Sequence, residues 1–425
     1  KEGIKGKNIR LTIDTEVQKL CGKLLVDKAG SISVMEIYTG EIVAMQSSPT
    51  FDANLFVYGV KSSDWDVIRN NPLKPFTNKT ISGLYSPGST LKPIVALSAL
   101  EHDVISPNFR VKCTGKMEMY GQTYHCWKKK GHGVVNMKDA IKKSCDTYFY
   151  EVARKLGVDR LSITASKFGL GNTVLDKALL NEKKGLFPTT KWKKNELGKG
   201  WVLGETLITG IGQGYIQSTP LQLCLMTAQL ANGGYKIYPK ITVNKDDETV
   251  ENIKSTMKEN FKSLKELEDL SIASEGLNWF TGPKKHEPLF RNQENVKLVL
   301  DAMYASTNEI GGTSFRSRID DPKYQFAGKT GTSQVKKITE KARELELKTN
   351  QIPYDERDHA LYVALGPYKN PRYAISIIVE HGGSGSIAAA PMATSLFKLI
   401  LDRHEEREKT RQSYLDLSNK KVEII

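Results

Sequence analysis

The stretch that decides the fold is Ser86-Pro87-Gly88-Ser89-Thr90-Leu91-Lys92-Pro93, which runs directly into the apolar residues 94–100. Gly88 permits the unusual backbone angles of a tight turn, and the apolar run predicts a buried helix. Serine is favoured at the start of a helix and proline is tolerated there. The sequence therefore predicts that Ser89 lies at the first turn of this helix.

Ser89 and Lys92 are three residues apart, so they face the same side of a helix. A hydroxyl beside an amine at a helix N-terminus predicts an activated nucleophile, because the amine takes the proton and the free N–H groups hold an oxyanion. The alternative is that Ser89 only caps the helix and Lys92 is solvated, since this spacing also arises by chance in long chains. Other motifs have to decide between the two.

Composition narrows the class of protein. With 425 residues and 39% hydrophobic content, the chain can bury a substantial core in one large domain or in two to three small ones. No run of roughly eighteen apolar residues predicts a membrane span, and no signal-peptide pattern is present. The net charge of +14 indicates an anionic partner or a solvated basic surface. Lysines cluster at 128–130 and 191–199 without a nucleic-acid motif, so we expect no nucleic-acid partner.

Predicted strands lie at both ends of the chain, with helices between them. Alternating and β-branched residues predict strands over 8–14, 31–37, 41–45, 324–335, 359–365 and 373–380. With a final helix at 388–403, this order predicts an α/β fold: an antiparallel central sheet flanked by helices, with an inserted all-α subdomain. The charged residues 243–290 are predicted as a surface insertion with a helix near 257–270, and 336–358 as a long loop beside the sheet.

Two further motifs change the interpretation of Ser89. Ser144-Cys145-Asp146 lies 55 residues after Ser89, at the start of a helical segment. Lys329-Thr330-Gly331-Thr332 lies on the first late strand, where the glycine indicates close approach of another segment or a ligand and the lysine supplies positive charge. Each motif alone is a common cap or strand end. The glycine-rich run 210–215 has no βαβ unit around it and does not indicate nucleotide binding.

In this order the three motifs resemble those of penicillin-binding proteins and serine β-lactamases, and the resemblance implies their shared fold. Other stretches are similar to class B penicillin-binding proteins: Thr39 to Met45, Pro49 to Asp52, Gly212 to Gly214, Thr219-Pro220 and Asn232 to Gly234. Trp127-Lys128-Lys129 with Gly131-His132-Gly133, and Asp146 where many relatives have asparagine, resemble the penicillin-binding protein 2 type, the elongation-specific peptidoglycan D,D-transpeptidase.

This resemblance implies a chemistry. Ser89 attacks the carbonyl of a D-alanyl-D-alanine stem peptide, D-alanine leaves, and an amine of a neighbouring stem takes the acyl group, which cross-links peptidoglycan in cell elongation and rod-shape maintenance. Lys92 is the implied base. A free lysine titrates near ~10.4, so burial and the second cation, Lys329, have to favour its neutral form. Ser144 relays a proton between Lys92 and the leaving nitrogen.

The resemblance also implies the groups that bind the substrate. The backbone N–H groups of Ser89 and Thr332 form the oxyanion hole, and Lys329 with Thr330-Gly331-Thr332 binds the terminal carboxylate. Asp146 is the departure from the usual pattern. A carboxylate accepts hydrogen bonds but cannot donate them as an amide does, so the alternative is that Asp146 anchors one of the two lysines.

Three cysteines and a histidine within 33 residues form a candidate metal site: Cys113, Cys126, His132 and Cys145. A Cys3His set suits tetrahedral zinc, although the spacing matches no common zinc finger and His125 is a spare imidazole. The alternatives are a disulfide, which an oxidising compartment favours, or free thiols. Because Cys145 lies inside the Ser144 motif, and some relatives of the penicillin-binding protein 2 type carry a metal set at corresponding places, we expect a structural zinc that fixes this loop.

The resemblance also implies the domain boundaries, the cellular location and the partners of the protein. Residues 1–10 are expected to be a linker from a missing N-terminal pedestal, 11–405 the transpeptidase domain and 406–425 a charged C-terminal tail. The full protein would be anchored in a bacterial inner membrane with this domain in the periplasm. The implied partners are peptidoglycan stem peptides, the elongation polymerase RodA and the scaffold MreC, with β-lactams as covalent inhibitors.

Two other classes of function compete with this one. A D,D-carboxypeptidase or a β-lactamase is a hydrolase on the same fold, but no motif places a glutamate to activate a deacylating water. A non-catalytic β-lactam sensor would retain the fold without the chemistry. The four intact polar residues of the site argue against that alternative: Ser89, Lys92, Ser144 and Lys329.

Overall fold

Strands from both ends of the chain form one antiparallel sheet in the computed structural model, which describes residues 3, 5–6, 8–175, 179–244, 247–259, 286–336, 347 and 349–420. The strands in spatial order are β2 (Ile42–Ser48), β1 (Gly30–Glu36), β9 (Tyr373–Val379), β8 (His359–Gly366) and β7 (Ala327–Ser333). All neighbours pair antiparallel, and the register places Lys329 opposite Val363. The predicted sheet is therefore confirmed, and it carries the Lys-Thr-Gly motif on strand β7, at the end of the sheet order.

Helices cover both faces of the sheet. Along β8, Leu361 and Val363 belong to one hydrophobic cluster, whereas Tyr362 and Ala364 belong to a second. The second cluster is covered by α1 (Thr15–Leu24) and α14 (Ala390–Asp402), and the first by α10 (Pro220–Ala231). Burial on both faces explains why β8 and β9 are almost continuously apolar instead of alternating.

The inserted helical part, which the sequence predicts, lies between β2 and β7. Its helices are α2 (Ser62–Arg69), α3 (Lys79–Ser82), α4 (Lys92–Glu101), α5 (Met137–Lys142), α6 (Asp146–Leu156), α7 (Val158–Lys167), α8 (Thr190–Leu197), α9 (Leu203–Thr209), α10, α11 (250–259) and α12 (Gln293–Asn308). Two small antiparallel pairs accompany them, β3 (Val111–Cys113) with β6 (Gly133–Val135) and β4 (Lys116–Met119) with β5 (Gln122–His125). After β9 follow α13 (Gly385–Ala388), α14 and α15 (His404–Lys420).

The structure differs from the prediction at the start of the chain. Residues 8–14 form no strand of the sheet but make a single bridge between Leu11 and Thr242, because Asp14 turns the chain by capping α1 through the N–H groups of Glu16 and Val17. Alternation of apolar and polar residues predicts an extended segment, but it does not show that this segment pairs with a strand of the sheet.

The described parts of two charged segments form helices. Residues 406–420 of the predicted charged tail belong to α15, in which Arg411 pairs with the buried Glu41 at 2.8 Å. In the predicted insertion, α11 buries Val250, Ile253 and Met257, which shows that it packs on the core; the predicted helix near 257–270 falls mostly outside the described residues. Within the described ranges, we find no helix with the length and apolar content of a membrane span.

Candidate active site

Ser89 lies in a 3-10 turn, Gly88–Leu91, that leads directly into α4. Gly88 has a φ of +53°, and its N–H donates to the Gly212 carbonyl at 2.8 Å. A Cβ on Gly88 would lie 2.4 Å from the Thr332 carbonyl oxygen, so no other residue fits between the turn at 212 and strand β7. This contact fixes Ser89 beside the Lys-Thr-Gly strand.

Lys92 is fully buried at the start of α4 and donates to three acceptors. Its Nζ lies 2.7 Å from Asp146 Oδ1, 2.9 Å from the Ser144 carbonyl and 3.2 Å from Ser144 Oγ. Three donated hydrogen bonds are the full capacity of an ammonium group, so this arrangement suits the charged form of Lys92. Of the two functions considered for Asp146, the structure shows the anchoring of a lysine.

Lys329 is also fully buried but has no carboxylate within hydrogen-bonding distance among the described residues. Its Nζ donates to Ser144 Oγ and to the Thr330 carbonyl, each at 2.9 Å. Burial holds the pKa of Lys329 well below its ordinary value, and the nearby charge of Lys92 lowers that pKa further. The Ser144 hydroxyl thus lies between two buried amines, one paired with a carboxylate and one not.

Ser144 adopts a conformation that few serines adopt. Its φ is +55°, in the left-handed region, at the junction between α5 and α6. This backbone conformation costs of order 1–3 kcal/mol. It turns the Ser144 carbonyl toward Lys92 and the Ser144 hydroxyl toward Lys329. The motif therefore supplies both a side-chain and a main-chain oxygen to the site.

Trp127 is a site residue to which the sequence analysis gave no function. Its backbone N–H donates to Asp146 Oδ2 at 2.9 Å, and its indole N–H donates to the Ser144 carbonyl at 3.0 Å. The residue is 58% exposed. The sequence signals were its place next to Cys126, a predicted metal ligand, and its part in the Trp127-Lys128-Lys129 stretch that resembles the penicillin-binding protein 2 type. Trp127 thus binds one oxygen of the Asp146 carboxylate and Lys92 binds the other.

Strand β7 carries the groups predicted to bind the substrate. A Cβ on Gly331 would lie 2.7 Å from Thr90 Cγ2, which is the close approach that a glycine in a strand predicts. The half-buried Thr332 accepts from Gln213 Nε2 through its carbonyl at 2.9 Å. Thr330 donates from its hydroxyl to Thr313 Oγ1 at 2.8 Å. Gln213, within the family-like stretch 212–214, and Thr313 had no predicted role at the site, because both lie in loops outside the three motifs.

The candidate metal ligands converge as predicted: one ligand atom from each of Cys113, Cys126, His132 and Cys145 lies within 4.8 Å of the other three. His132 Nδ1 lies 3.5 Å from Cys126 Sγ and 3.6 Å from Cys113 Sγ. All five cysteines are free thiols. Three thiols and one imidazole at this separation fit a tetrahedral zinc ion. His125, the spare imidazole, is not in this group.

Comparison with known proteins agrees with this geometry. The family model of the penicillin binding protein transpeptidase domain matches residues 30–400. The peptidoglycan D,D-transpeptidase MrdA of Escherichia coli K12 is 35% identical over 404 residues, which are 93% of this chain and 57% of the relative. MrdA of Salmonella typhimurium SL1344 is 34% identical over 403 residues, 94% of this chain and 60% of the relative. The chain thus spans about three fifths of the length of these curated relatives.

Solved structures of penicillin-binding proteins are also similar to this chain. Pseudomonas aeruginosa PBP2 in complex with WCK 5153 has a TM-score of 0.77 at 34% identity, covering 93% of this chain and 79% of that one. Helicobacter pylori PBP2 in complex with MreC has a TM-score of 0.75 at 29% identity, covering 92% and 64%. The resemblance seen in the motifs is confirmed, and the chain belongs to the penicillin-binding protein transpeptidase family, with relatives of the PBP2 (MrdA) type.

Proposed function

We propose that this domain transfers acyl groups from D-alanyl-D-alanine stem peptides through a covalent Ser89 acyl-enzyme, and so cross-links peptidoglycan in cell elongation and rod-shape maintenance. The observation that carries the proposal is the buried centre of the site. Three separate motifs contribute Lys92, Ser144 with Asp146, and Lys329 to one hydrogen-bonded group. The curated MrdA relatives named D,D-transpeptidases support it.

The first half of the reaction uses the groups around Ser144. The Ser89 oxygen forms a bond to the scissile carbonyl, and the backbone N–H groups of Ser89 and Thr332 stabilise the oxyanion. Lys92 accepts the Ser89 proton once it has lost one of its own protons, for which Asp146 at 2.7 Å is the nearest acceptor. Ser144 then relays this proton: its hydroxyl donates to the leaving nitrogen and is reprotonated by Lys92, whose Nζ lies 3.2 Å from Ser144 Oγ, as the C–N bond breaks and D-alanine departs.

In the second half, an acceptor amine attacks the acyl-enzyme, and the same groups return the proton to Ser89 as its ester bond breaks. The terminal carboxylate of the donor lies against β7. We assign its direct contact to the hydroxyl of Thr332, because the Thr330 hydroxyl donates to Thr313 and the fully buried Lys329 amine donates to Ser144 and Thr330. A bound carboxylate favours the protonated form of Lys329, which then adds attraction.

Assays with a stem pentapeptide and with penicillin distinguish a transpeptidase from a D,D-carboxypeptidase and a β-lactamase. With an acceptor amine present, we expect a cross-linked dimer and one released D-alanine per dimer, neither of which forms with a Ser89→Ala variant. Chromatography coupled to mass spectrometry measures both products. Tetrapeptide without dimer would indicate a D,D-carboxypeptidase, rapid turnover of penicillin would indicate a β-lactamase, and no reaction would indicate a sensor.

The relatives also support a proposal for the cellular context. We infer that the chain is the periplasmic domain of a protein anchored in a bacterial inner membrane. The Helicobacter pylori relative binds MreC, which supports MreC as a partner of the full-length protein. RodA is proposed as the polymerase that supplies nascent glycan strands, and β-lactams as covalent inhibitors of Ser89.

We also propose that one structural zinc ion is held by the Cys3His group. When bound, zinc supplies a rigid tie between segments that are distant along the chain, and it has no place in the acyl transfer itself. Cys126 and Cys145 flank the contacts that Trp127 makes with Asp146 and Ser144. The geometry that presents Asp146 to Lys92 therefore depends on the same segment.

Metal analysis tests this proposal. We expect about one zinc per chain, and a strong chelator should lower the melting temperature and slow the acylation of Ser89. Cys113→Ser should reduce the zinc content severely, whereas Cys224→Ser should retain it, because Cys224 lies on α10 and is buried against β1 and β9, away from the group. A protein without zinc in which two thiols resist alkylation would refute the site and favour a disulfide.

A further inference from the structure

The turn that contains Gly212 and Gln213 connects the Ser89 turn with strand β7. On one side, the Gly212 carbonyl accepts the N–H of Gly88, the residue before Ser89, at 2.8 Å. On the other side, the Gln213 side chain donates from Nε2 to the Thr332 carbonyl at 2.9 Å. One turn thus contacts both segments whose N–H groups are assigned to the oxyanion hole.

Main-chain contacts hold this turn in place. The Gly212 N–H donates to the Thr209 carbonyl at 2.9 Å, in the last turn of α9. The Gln213 N–H donates to the Ile208 carbonyl at 3.1 Å. Gly212 has a φ of +76°, and a Cβ there would lie 2.1 Å from the Gly88 carbonyl oxygen. A change of the Gln213 side chain therefore leaves the contacts of the turn with α9 and Gly88 intact.

The main chain of Thr332 faces the Ser89 turn. β7 lies at the end of the sheet order, next to β8. A Cβ on Gly88 would lie 2.4 Å from the Thr332 carbonyl oxygen and 3.3 Å from the Thr332 nitrogen, so both atoms lie at the edge of the sheet. In an antiparallel ladder the N–H and the carbonyl of one residue point to the same side. The hydrogen bond from Gln213 to this carbonyl therefore also restrains the direction of the Thr332 N–H.

We propose that Gln213 is a positioning residue for the oxyanion hole: its amide holds the Thr332 segment against the Ser89 turn, so that the two backbone N–H groups converge on one oxyanion. Such donors act best when their direction is set before the charge develops. The inference rests on the proposed acyl transfer and adds to it a residue outside the three motifs. A carbonyl oxygen has two lone pairs, so the Thr332 carbonyl can still accept a hydrogen bond from a ligand.

The test separates ligand binding from the chemical step. Stopped-flow absorbance with a chromogenic cephalosporin gives the dissociation constant of the first complex and the rate constant of Ser89 acylation. In Gln213→Ala we expect an about tenfold lower rate constant, because the Thr332 N–H remains but is less well directed, whereas loss of a whole oxyanion donor costs about 10²–10³-fold. The dissociation constant should change less than about twofold, since the oxyanion forms only during the reaction.

Gln213→Glu is the second variant. It keeps the length of the side chain but replaces the donating amide with a carboxylate, which only accepts hydrogen bonds. Acylation should therefore be slowed at least as much as in Gln213→Ala.

The infrared spectrum of the acyl-enzyme reports on the oxyanion hole itself. Hydrogen bonds to the ester carbonyl lower its stretching frequency. With a penicillin labelled with carbon-13 at the β-lactam carbonyl, the band of the adduct should therefore lie at a higher frequency in Gln213→Ala than in the wild type. A loss of global stability alone would not move this band.

Gln217→Ala is the matched control, because it removes the same side-chain amide from an exposed residue whose backbone pairs with Leu186. It should leave the rate constant and the band unchanged. A wild-type rate constant in both Gln213 variants, or slower acylation without a band shift in Gln213→Ala, would overturn the assignment alone. A wild-type protein without a Ser89 adduct would refute the proposed function, and the assignment with it.

Discussion

Replacing Lys329 with methionine is expected to abolish acylation of Ser89 while leaving the domain as stable as the wild type or more stable. The Lys329 amine donates to the Ser144 hydroxyl at 2.9 Å, so its loss removes the hydrogen bond that orients this proton donor and should slow acylation by roughly 10²–10⁴-fold. The same amine is fully buried without a carboxylate of its own. A methionine of similar length removes the cost of burying it.

The stability that Lys329→Met gains over the wild type should depend on pH in a defined direction. The pKa of Lys329 is lower in the folded protein than in the unfolded chain, where a lysine titrates near ~10.4. The unfolded chain therefore binds more protons between the two pKa values, and the free energy of unfolding of the wild type rises with pH there. The advantage of Lys329→Met should be complete below the folded pKa and shrink as the pH rises toward ~10.4. Thermal unfolding at pH 7 and pH 9.5 measures it.

Lys92→Met is the matched control, because it removes an equivalent buried amine from the same site. Here the partner left behind is the Asp146 carboxylate, whose side chain is only 12% exposed. Breaking a buried ion pair from one side costs about 3–5 kcal/mol, so this variant should lose both acylation and stability. Destabilisation by Lys329→Met as large as that by Lys92→Met would contradict the different electrostatics assigned to the two lysines.

Much of the fold could be predicted, because burial leaves a strong pattern in the sequence. The apolar runs at 359–365 and 373–380 correspond to β8 and β9, and the capping pattern at Thr219-Pro220 starts α10. The order of the three motifs predicted a shared site, and the structure joins Lys92, Ser144 and Lys329 in one hydrogen-bonded group. Such predictions depend on local periodicity and on motifs, which can be read directly from the sequence.

Other features could not be predicted, because they depend on contacts between distant segments. Asp146 faces Lys92, 54 positions away, and the sequence allowed either lysine as its partner. Trp127 acts through a main-chain N–H, which every residue but proline has. The positive φ of Ser144 has no signature in its residue type.

Ser89→Ala is the second change with a very large expected effect. The Ser89 hydroxyl has no hydrogen bond to another residue within the described part of the chain, and the turn around it is fixed by Gly88 and Gly212. Alanine should therefore fold normally and change the melting temperature little. Without the nucleophile, acylation should fall by at least roughly 10³-fold, below detection in a standard gel assay.

The most direct measurement of the central claim is the mass of the protein after incubation with a penicillin, followed by peptide mapping. We expect a stable mass increase equal to one intact penicillin, located on the peptide that contains Ser89, and no increase in Ser89→Ala. An adduct on another residue, an adduct that persists in Ser89→Ala, or no adduct on the folded wild-type protein would contradict the assignment of Ser89 as the nucleophile.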